Sequence, residues 1–166
     1  SYLRSTGYSN VIGDTKFTPA QRLTHGWGVT DSITFNYLYD MLRKSPVKPG
    51  SWQTTFLTLA SHEPWGVPYD RIKNDKRANA MAYLDDCMGR FIKQMKRTQQ
   101  WKNLLVIILP DHGIAYPQGL TEAAIRRYHV PMLWLGGAVK SPRRVDKLCN
   151  QSDLAATLLG QLGIKH

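Results

Sequence analysis

An apolar run that ends abruptly in polar residues constrains the fold of this chain more than any other stretch. Residues 104–109 read Leu-Leu-Val-Ile-Ile-Leu, and Pro110, Asp111, His112 and Gly113 follow directly. A run of this length without a charge is typical of a buried strand. In an open parallel sheet, the loops after the carboxyl ends of the strands form the ligand crevice. The run therefore predicts a strand with Asp111 and His112 at its functional end.

Asp111 and His112 are the first candidate site. A carboxylate oxygen and an imidazole nitrogen are donors that suit manganese, zinc or iron. Gly113 allows a sharp turn or a close approach of the backbone to a ligand. A simpler interpretation stays open at this point, since both are ordinary loop residues and an Asp can cap a following helix.

A second run also ends in a histidine. Residues 52–60 read Trp-Gln-Thr-Thr-Phe-Leu-Thr-Leu-Ala, which is rich in strand-forming residues and contains no charge, and Ser61-His62-Glu63-Pro64-Trp65 follows. We interpret the run as a buried strand. His62 is then either a loop residue with a single hydrogen bond or a group that contacts a metal or a phosphate. Alone, the first interpretation is favoured; a second strand that ends in histidine brings the two interpretations about level.

Predicted strands alternate with predicted helices along the chain. Apolar residues at helical spacing predict helices from Thr30 or Asp31 to about Lys44, from about Asn79 to Thr98, within 121–128, and from Ser152 or Asp153 to near Gly163. Residues 9–13 and 128–137 predict two further strands. This alternation predicts an α/β fold, in which a mostly parallel sheet is flanked by helices on both faces. His129 lies at the entrance of its strand, the opposite end from a crevice of parallel strands, so we interpret it as structural.

Two loops carry further polar and aromatic residues. The loop from Asp14 to Trp27 includes Arg22 and His25, and its composition indicates only a loop that could line a site. Residues 116–119 follow the central strand and could overhang Asp111 and His112. Neither loop adds a defined ligand set.

Composition narrows the classes of function. With 166 residues, 42% of them hydrophobic, the chain is long enough for one domain. The formal charge of +10 predicts attraction to anions such as phosphate esters, nucleic acid or acidic lipid headgroups. No apolar run approaches the roughly 20 residues of a membrane helix. Cys87 is expected as a buried free thiol, although one disulfide with Cys149 stays open.

Four motifs in this order resemble the carboxyl-terminal part of a sulfatase-type domain of the alkaline phosphatase superfamily, in particular its lipoteichoic acid synthase-like, phosphoglycerol transferase group. They are Leu-Ala-Ser-His-Glu-Pro-Trp at 59–65, Tyr-Leu-Asp-Asp-Cys-Met-Gly-Arg-Phe-Ile at 83–92, Val-Ile-Ile-Leu-Pro-Asp-His-Gly at 106–113 and Gln-Ser-Asp-Leu-Ala-Ala-Thr-Leu-Leu at 151–159. The resemblance implies that residues 1–166 form the carboxyl-terminal portion of one such domain, incomplete on its amino-terminal side.

The resemblance also implies roles for three residues. In that group a divalent metal, usually manganese, is held by a Glu, a nucleophilic Thr and an Asp-His pair, which maps onto Asp111 and His112; zinc and calcium are alternatives. The histidine of the Ser-His-Glu-Pro motif, His62, would contact the phosphate or sulfate of the substrate. The Glu and the nucleophile would lie upstream of Ser1, so the segment alone is expected to be nearly inactive.

Location and partners follow from the same resemblance. The parent protein is expected to be anchored in the cytoplasmic membrane with its catalytic domain outside, by helices absent from this chain. The substrate is an anionic ester, and lipid-borne phosphoglycerol, phosphoethanolamine and sulfate esters stay open. A sheet that lacks strands exposes an edge, so self-association is also expected.

A basic nucleic-acid-binding module is the alternative of a different class. The charge supports it, as do Trp27, Trp65 and Trp101, which could stack on bases. The Lys and Arg residues are dispersed, however, and the sequence contains no recognised binding motif. We therefore expect the metal-dependent enzyme and not the nucleic-acid binder.

Overall fold

The computed structural model describes residues 2–22, 28–47, 50–116, 119–121 and 123–165. In this part of the chain the residues form six α-helices, two 3₁₀ helices and two short strands. In chain order the elements are α1 (Tyr2–Ser5), a 3₁₀ helix (Asp14–Lys16), α2 (Pro19–Arg22), α3 (Asp31–Leu42), α4 (Lys76–Met95), a 3₁₀ helix (Gln100–Asn103), β1 (Val106–Ile108), α5 (Ile125–Tyr128), β2 (Leu133–Leu135) and α6 (Asp153–Gln161).

The three longer helices lie where apolar spacing predicts them, with one informative shift. Helix α4 begins at Lys76 and not near Asn79, because Asp75 caps it by accepting a hydrogen bond from the Ala78 amide at 2.9 Å. The Asn79 side chain is buried in the first turn and instead bonds the backbone of the preceding loop, residues 69–72. The short helix expected within 121–128 forms only as α5.

Helices α3 and α4 pack against each other and form the core. Its buried side chains come from both helices and from two other segments: Phe35, Leu38, Leu42, Tyr83, Cys87, Phe91, Met95, Ala60 and Leu104. Burying a side chain such as Leu, Phe or Met stabilises the fold by about 1.5–3 kcal/mol relative to leaving it exposed. Ala60 and Leu104 belong to the runs that precede the two candidate loops, so both loops begin from the same core.

The strands differ from the sequence prediction in number and direction. Among the described residues, β1 pairs only with β2, and the pairing is antiparallel, with Val106 opposite Leu135 and Ile108 opposite Leu133. This pair therefore differs from the mostly parallel sheet that the sequence predicts. Residues 9–13 and 52–60 form no strand, although their composition predicts one. Composition reports a preference for extended backbone, whereas a strand also needs a partner, and these segments have none within the described residues.

The antiparallel pairing also changes the position of His129. The entrance of β2 lies beside the carboxyl end of β1, so the interpretation that His129 is at the end away from Asp111 is wrong. Gly113 shows how closely the two segments approach, because a Cβ atom there would overlap the carbonyl oxygen of Arg127. The close approach that Gly113 permits is thus to another part of the chain.

Two other expectations concern the cysteines and membrane helices. Cys87 is buried, Cys149 is exposed, and both are free thiols, so they do not form a disulfide. Within the described ranges, no helix has the length and apolar character needed to span a membrane.

Candidate functional site

The first candidate loop turns sharply after residue 60 and presents His62. The His62 amide donates to the carbonyl of Leu59 at 3.0 Å, and the Trp65 amide donates to the carbonyl of His62 at 3.1 Å. The His62 Nδ1 atom lies 2.9 Å from the carbonyl oxygen of Glu63. Because a carbonyl only accepts, this contact assigns the proton of the neutral ring to Nδ1 and the lone pair to Nε2. The imidazole is exposed and held in one orientation by its own loop.

A buried carboxylate fixes the backbone of this loop. Asp31, the first residue of α3, is 1% exposed. Its Oδ1 accepts a hydrogen bond from the Leu59 amide at 2.9 Å and its Oδ2 accepts one from the Ala60 amide at 2.8 Å. Burial raises the pKa of Asp31 above 3.8, and the two amide donors oppose that shift. The sequence indicated Asp31 only as a helix cap, since no local pattern reports a contact 28 residues away.

The second candidate loop follows β1 and carries Asp111 and His112, both exposed. The Asp111 Oδ1 accepts the His112 amide at 3.0 Å, and the His112 Nδ1 lies 2.9 Å from the carbonyl oxygen of Gly113. As in the first loop, this assigns the proton to Nδ1 and the lone pair to Nε2. Both histidines thus point a ring nitrogen that can accept or ligate away from their own backbone.

Asp111 and His112 place two polar donors close together. The His112 Nε2 and the Asp111 Oδ2 are 3.9 Å apart. Carboxylate oxygen and imidazole nitrogen are also a donor set that manganese and zinc accept. That the pair holds a metal stays a prediction.

Gln151, from the fourth sequence motif, holds the backbone of the second loop. Its Nε2 donates to the carbonyl of Pro110 at 2.6 Å and to the carbonyl of Asp111 at 2.9 Å. The two hydrogens of one amide group can serve two acceptors in this way. The sequence singled out the motif without assigning this residue a role. Its partners lie 41 and 40 residues away, beyond any local pattern.

The amino-terminal end of α4 contacts both loops. The Arg77 guanidinium donates to the carbonyl of Ala115 at 3.5 Å and lies 3.9 Å from a carboxylate oxygen of Glu63. The Tyr116 hydroxyl donates to the Asp75 Oδ2 at 2.8 Å. The hydrogen bond from the Ala78 amide, together with that from Tyr116, lowers the pKa of Asp75 below 3.8. One helix end thus brings the first loop beside the residues that follow Asp111 and His112.

Other residues add no further metal ligand in the part of the chain that the structure describes. There, no group of three or more His, Cys, Asp or Glu side chains is arranged to hold an ion. Asp111 and His112 are therefore a pair, and His62 is not a third ligand of that pair. His25 and Trp27 of the earlier loop, and residues 117–118 of the overhanging loop, lie outside the described residues.

The family model for sulfatases matches residues 1–164. This chain belongs to the sulfatase family. The match covers nearly the whole chain and includes both candidate loops, so the resemblance carried by the four motifs is confirmed.

The chain is also similar in sequence to two phosphoglycerol transferases. The sulfatase chain is 23% identical over 173 residues to phosphoglycerol transferase I of Xanthomonas campestris pv. campestris, covering 96% of this chain and 24% of that protein. It is 24% identical over 172 residues to phosphoglycerol transferase I of Xanthomonas axonopodis pv. citri, covering 95% of this chain and 24% of the relative. The chain thus spans about a quarter of the length of these relatives.

A solved structure supports the fold. The sulfatase chain matches a crystal structure of a protein in the alkaline phosphatase superfamily from Vibrio parahaemolyticus with a TM-score of 0.73 and 25% identity, over 95% of this chain and 39% of that one. The α/β class predicted from the sequence is therefore confirmed, although the strand pair in the described residues is antiparallel.

Proposed function

We propose that this chain is the carboxyl-terminal portion of the catalytic domain of a metal-dependent phospho- or sulfo-ester hydrolase or transferase, with chemistry like that of the phosphoglycerol transferases. The observation that carries the proposal is the pair of donors at the end of β1, with the His112 Nε2 3.9 Å from the Asp111 Oδ2. The loop of His62 contacts the same helix end as the residues that follow this pair, which supports a shared site.

Asp111 and His112 would hold the metal, for which we propose Mn²⁺, with Zn²⁺ and Ca²⁺ as alternatives. Such an ion lowers the pKa of a hydroxyl nucleophile and offsets negative charge on the ester oxygens. The Gly113 carbonyl orients His112, because a ring that donates through Nδ1 presents Nε2 outward. Gln151 keeps the backbone of Asp111 in place.

His62 would act on the ester itself. Its ring is oriented by the Glu63 carbonyl, so Nε2 faces outward and, when protonated, can donate to a nonbridging oxygen or to the leaving alkoxide. Positioning such a donor in hydrogen-bond reach of the substrate contributes typically about 10²–10⁴-fold to a rate.

The remaining groups would come from the region upstream of this chain. We propose that a nucleophilic hydroxyl and a further carboxylate ligand lie there, since two ligands leave most of the coordination sphere to water. The chain alone would then bind the metal weakly and turn over little substrate. We further propose that the complete domain faces outward from the cytoplasmic membrane and acts on lipid-borne phosphoglycerol, with phosphoethanolamine and sulfate esters as alternatives.

The test compares two forms of the protein. The longer protein, with its upstream region, is assayed with Mn²⁺ on a chromogenic phosphodiester, an aryl sulfate and vesicles that contain phosphatidylglycerol. We expect a metal-dependent rate on one of these, which Asp111→Ala lowers by about 100-fold, a typical contribution of a catalytic group. Asp146→Ala is the matched control, because Asp146 is exposed and pairs only locally, with Arg144 at 2.7 Å. A metal-dependent rate from residues 1–166 alone, abolished by Asp111→Ala, would contradict the upstream nucleophile.

A further inference from the structure

The geometry points to Asp31 as the positioning residue for His62: the buried carboxylate fixes the Leu59 and Ala60 amides and so sets where the imidazole is presented. Asp31 lies on α3 and belongs to none of the four motifs that carry the family resemblance. The inference rests on the proposed function only where its test uses an activity, and its other readouts are independent of catalysis.

Asp31 anchors the loop through both of its carboxylate oxygens. Each oxygen of Asp31 accepts one backbone amide of the loop, at 2.9 and 2.8 Å, and the residue is 1% exposed. Hydrogen bonds to an ionised acceptor are shorter and stronger than neutral ones, and shielding from water strengthens them further. Two bonds to consecutive amides restrain both the position and the direction of the backbone at Leu59 and Ala60.

Two further contacts connect the anchored backbone to the imidazole of His62. The His62 amide donates to the carbonyl of Leu59 at 3.0 Å, which closes a turn that starts at an anchored residue. The His62 ring is then held against the Glu63 carbonyl at 2.9 Å. The position of the ring is therefore set by a short series of bonds that begins at Asp31. A shift of the Leu59 amide would move the ring with it.

The helix start that carries Asp31 is in turn bonded to α4. The amide of Ser32, next to Asp31, donates to the hydroxyl of Tyr83 at 3.1 Å, and Tyr83 is a buried residue of α4. The same helix carries Arg77, which contacts residues of both candidate loops. Asp31 thus ties the loop of His62 to the helix that also contacts the loop of the metal ligands.

The chemistry at Asp31 explains why its two oxygens matter. Each of the two amides meets its own oxygen of Asp31, whereas a carboxamide has a single acceptor oxygen to share between them. In Asp31→Asn one amide of the loop would face the NH₂ group of the new side chain. This substitution keeps the size of the residue and removes one of the two restraints, so it separates positioning from packing.

The experiment compares Asp31→Asn with Asp40→Asn. Asp40 lies on the same helix, but its carboxylate is exposed and pairs with Arg43 at 2.7 Å, away from the loop. In residues 1–166, NMR follows the ring nitrogens of His62 and the hydrogen exchange of the Leu59 and Ala60 amides. In the longer protein, kcat and KM are measured with Mn²⁺ and the phosphodiester.

We expect Asp31→Asn to lower kcat by about 100-fold, the cost of a misplacement of about 1 Å. KM should change little, because the imidazole contributes mainly in the transition state. The variant should also shift the His62 ring signals and speed exchange at Leu59 and Ala60. Asp40→Asn should change none of these. A folded Asp31→Asn protein with wild-type kcat and unchanged His62 signals would overturn the inference.

Two further outcomes are also decisive. If Asp31→Asn does not fold, the wild-type protein decides: the Leu59 and Ala60 amides should exchange as slowly as amides in the middle of α4, and exchange at the rate of exposed amides would overturn the inference. If the longer wild-type protein cleaves no ester with any divalent metal, the proposed function fails. The NMR comparison then still decides whether Asp31 positions His62.

Discussion

The two candidate loops are held in place by anchors of opposite kinds. The loop of His62 is fixed by Asp31, a carboxylate that is 1% exposed within the helical core. The loop of Asp111 is fixed by Gln151, an exposed amide, and by the close approach of Gly113 to the backbone of Arg127 in α5. A buried anchor has no water to replace a lost partner, whereas an exposed one does. We infer that the first loop is held more rigidly than the second.

The largest expected effect on stability is at the loop of His62, which the buried Asp31 anchors. Asp31→Ala leaves the Leu59 and Ala60 amides without an acceptor in a poorly hydrated place. An unsatisfied buried donor costs about 1–3 kcal/mol, so for the two amides we expect a loss of about 2–6 kcal/mol in the free energy of unfolding. Urea denaturation measures it, with Asp40→Ala as the control on the same helix. Equal, small losses of stability in Asp31→Ala and Asp40→Ala would show that Asp31 does not act as a buried anchor of the loop.

The next effect tests the loop of Asp111 by itself, through the substitution of a glycine. A Cβ at Gly113 would overlap the carbonyl of Arg127, so Gly113→Ala must move the backbone of the Asp111 loop. Overpacking of this kind typically costs about 1–3 kcal/mol. Gly89→Ala is the control, because Gly89 lies in α4 and a Cβ there meets no neighbour. That control should stabilise the protein by about 0.5–1 kcal/mol, as Ala does relative to Gly within helices.

For Gly113→Ala the location of the change matters as much as its size. NMR shifts should concentrate in the Asp111 loop and in residues 127–130, and the His62 ring signals should stay as in the wild type. Shifts of equal size in both loops would show that the loops move as one unit, which contradicts their separate anchoring.

A smaller effect concerns the exposed anchor and the metal. Gln151→Ala removes two hydrogen bonds to carbonyls that water can replace, so we expect a loss of about 1 kcal/mol or less in stability. Loss of a partner that supports a metal ligand typically lowers metal affinity by about 10–100-fold, and we expect the lower end here. Titration with Mn²⁺ measures it, with Gln161→Ala, at the exposed end of α6, as the control. Unchanged affinity in Gln151→Ala would show that Gln151 does not support Asp111.

The comparison also shows what the sequence can and cannot predict. Helices α3, α4 and α6 were predictable because their apolar residues recur at helical spacing, and β1 because a charge-free run precedes Asp111. Each of these signals is local. The ordered motifs predicted the family for the same reason, since each lies within about ten consecutive residues.

The anchors and the strand direction were not predictable from local patterns. Asp31 reaches amides 28 and 29 residues away, and Gln151 reaches carbonyls 40 and 41 residues away. The direction of β2 depends on how the chain returns to β1, which no hydrophobic pattern encodes. His129 was misplaced for this reason alone. The candidate ligands were thus visible in the sequence, and what holds them was not.

The smallest effect uses pH to compare two carboxylates: Asp31 of α3, which is buried, and Asp75, which is half-buried and caps α4. Burial raises the pKa of Asp31 in the folded protein above 3.8, so its stabilisation is fully present below about pH 3.8 and falls as the pH rises through its folded pKa. The amide of Ala78 and the hydroxyl of Tyr116 lower the pKa of Asp75, so its stabilisation is present above about pH 3.8 and is lost as the pH falls through its folded pKa.

The two Asn variants should therefore depend on pH with opposite signs. The destabilisation by Asp75→Asn should shrink between about pH 7 and pH 3, because protonation removes in the wild type what the substitution removes in the variant. The destabilisation by Asp31→Asn should grow over the same range, because the wild type gains stability there as Asp31 takes up its proton. Urea denaturation of both variants across this range measures the two slopes. Slopes of the same sign would mean that the two amide donors outweigh burial in setting the pKa of Asp31, and the contrast between Asp31 and Asp75 would then be lost.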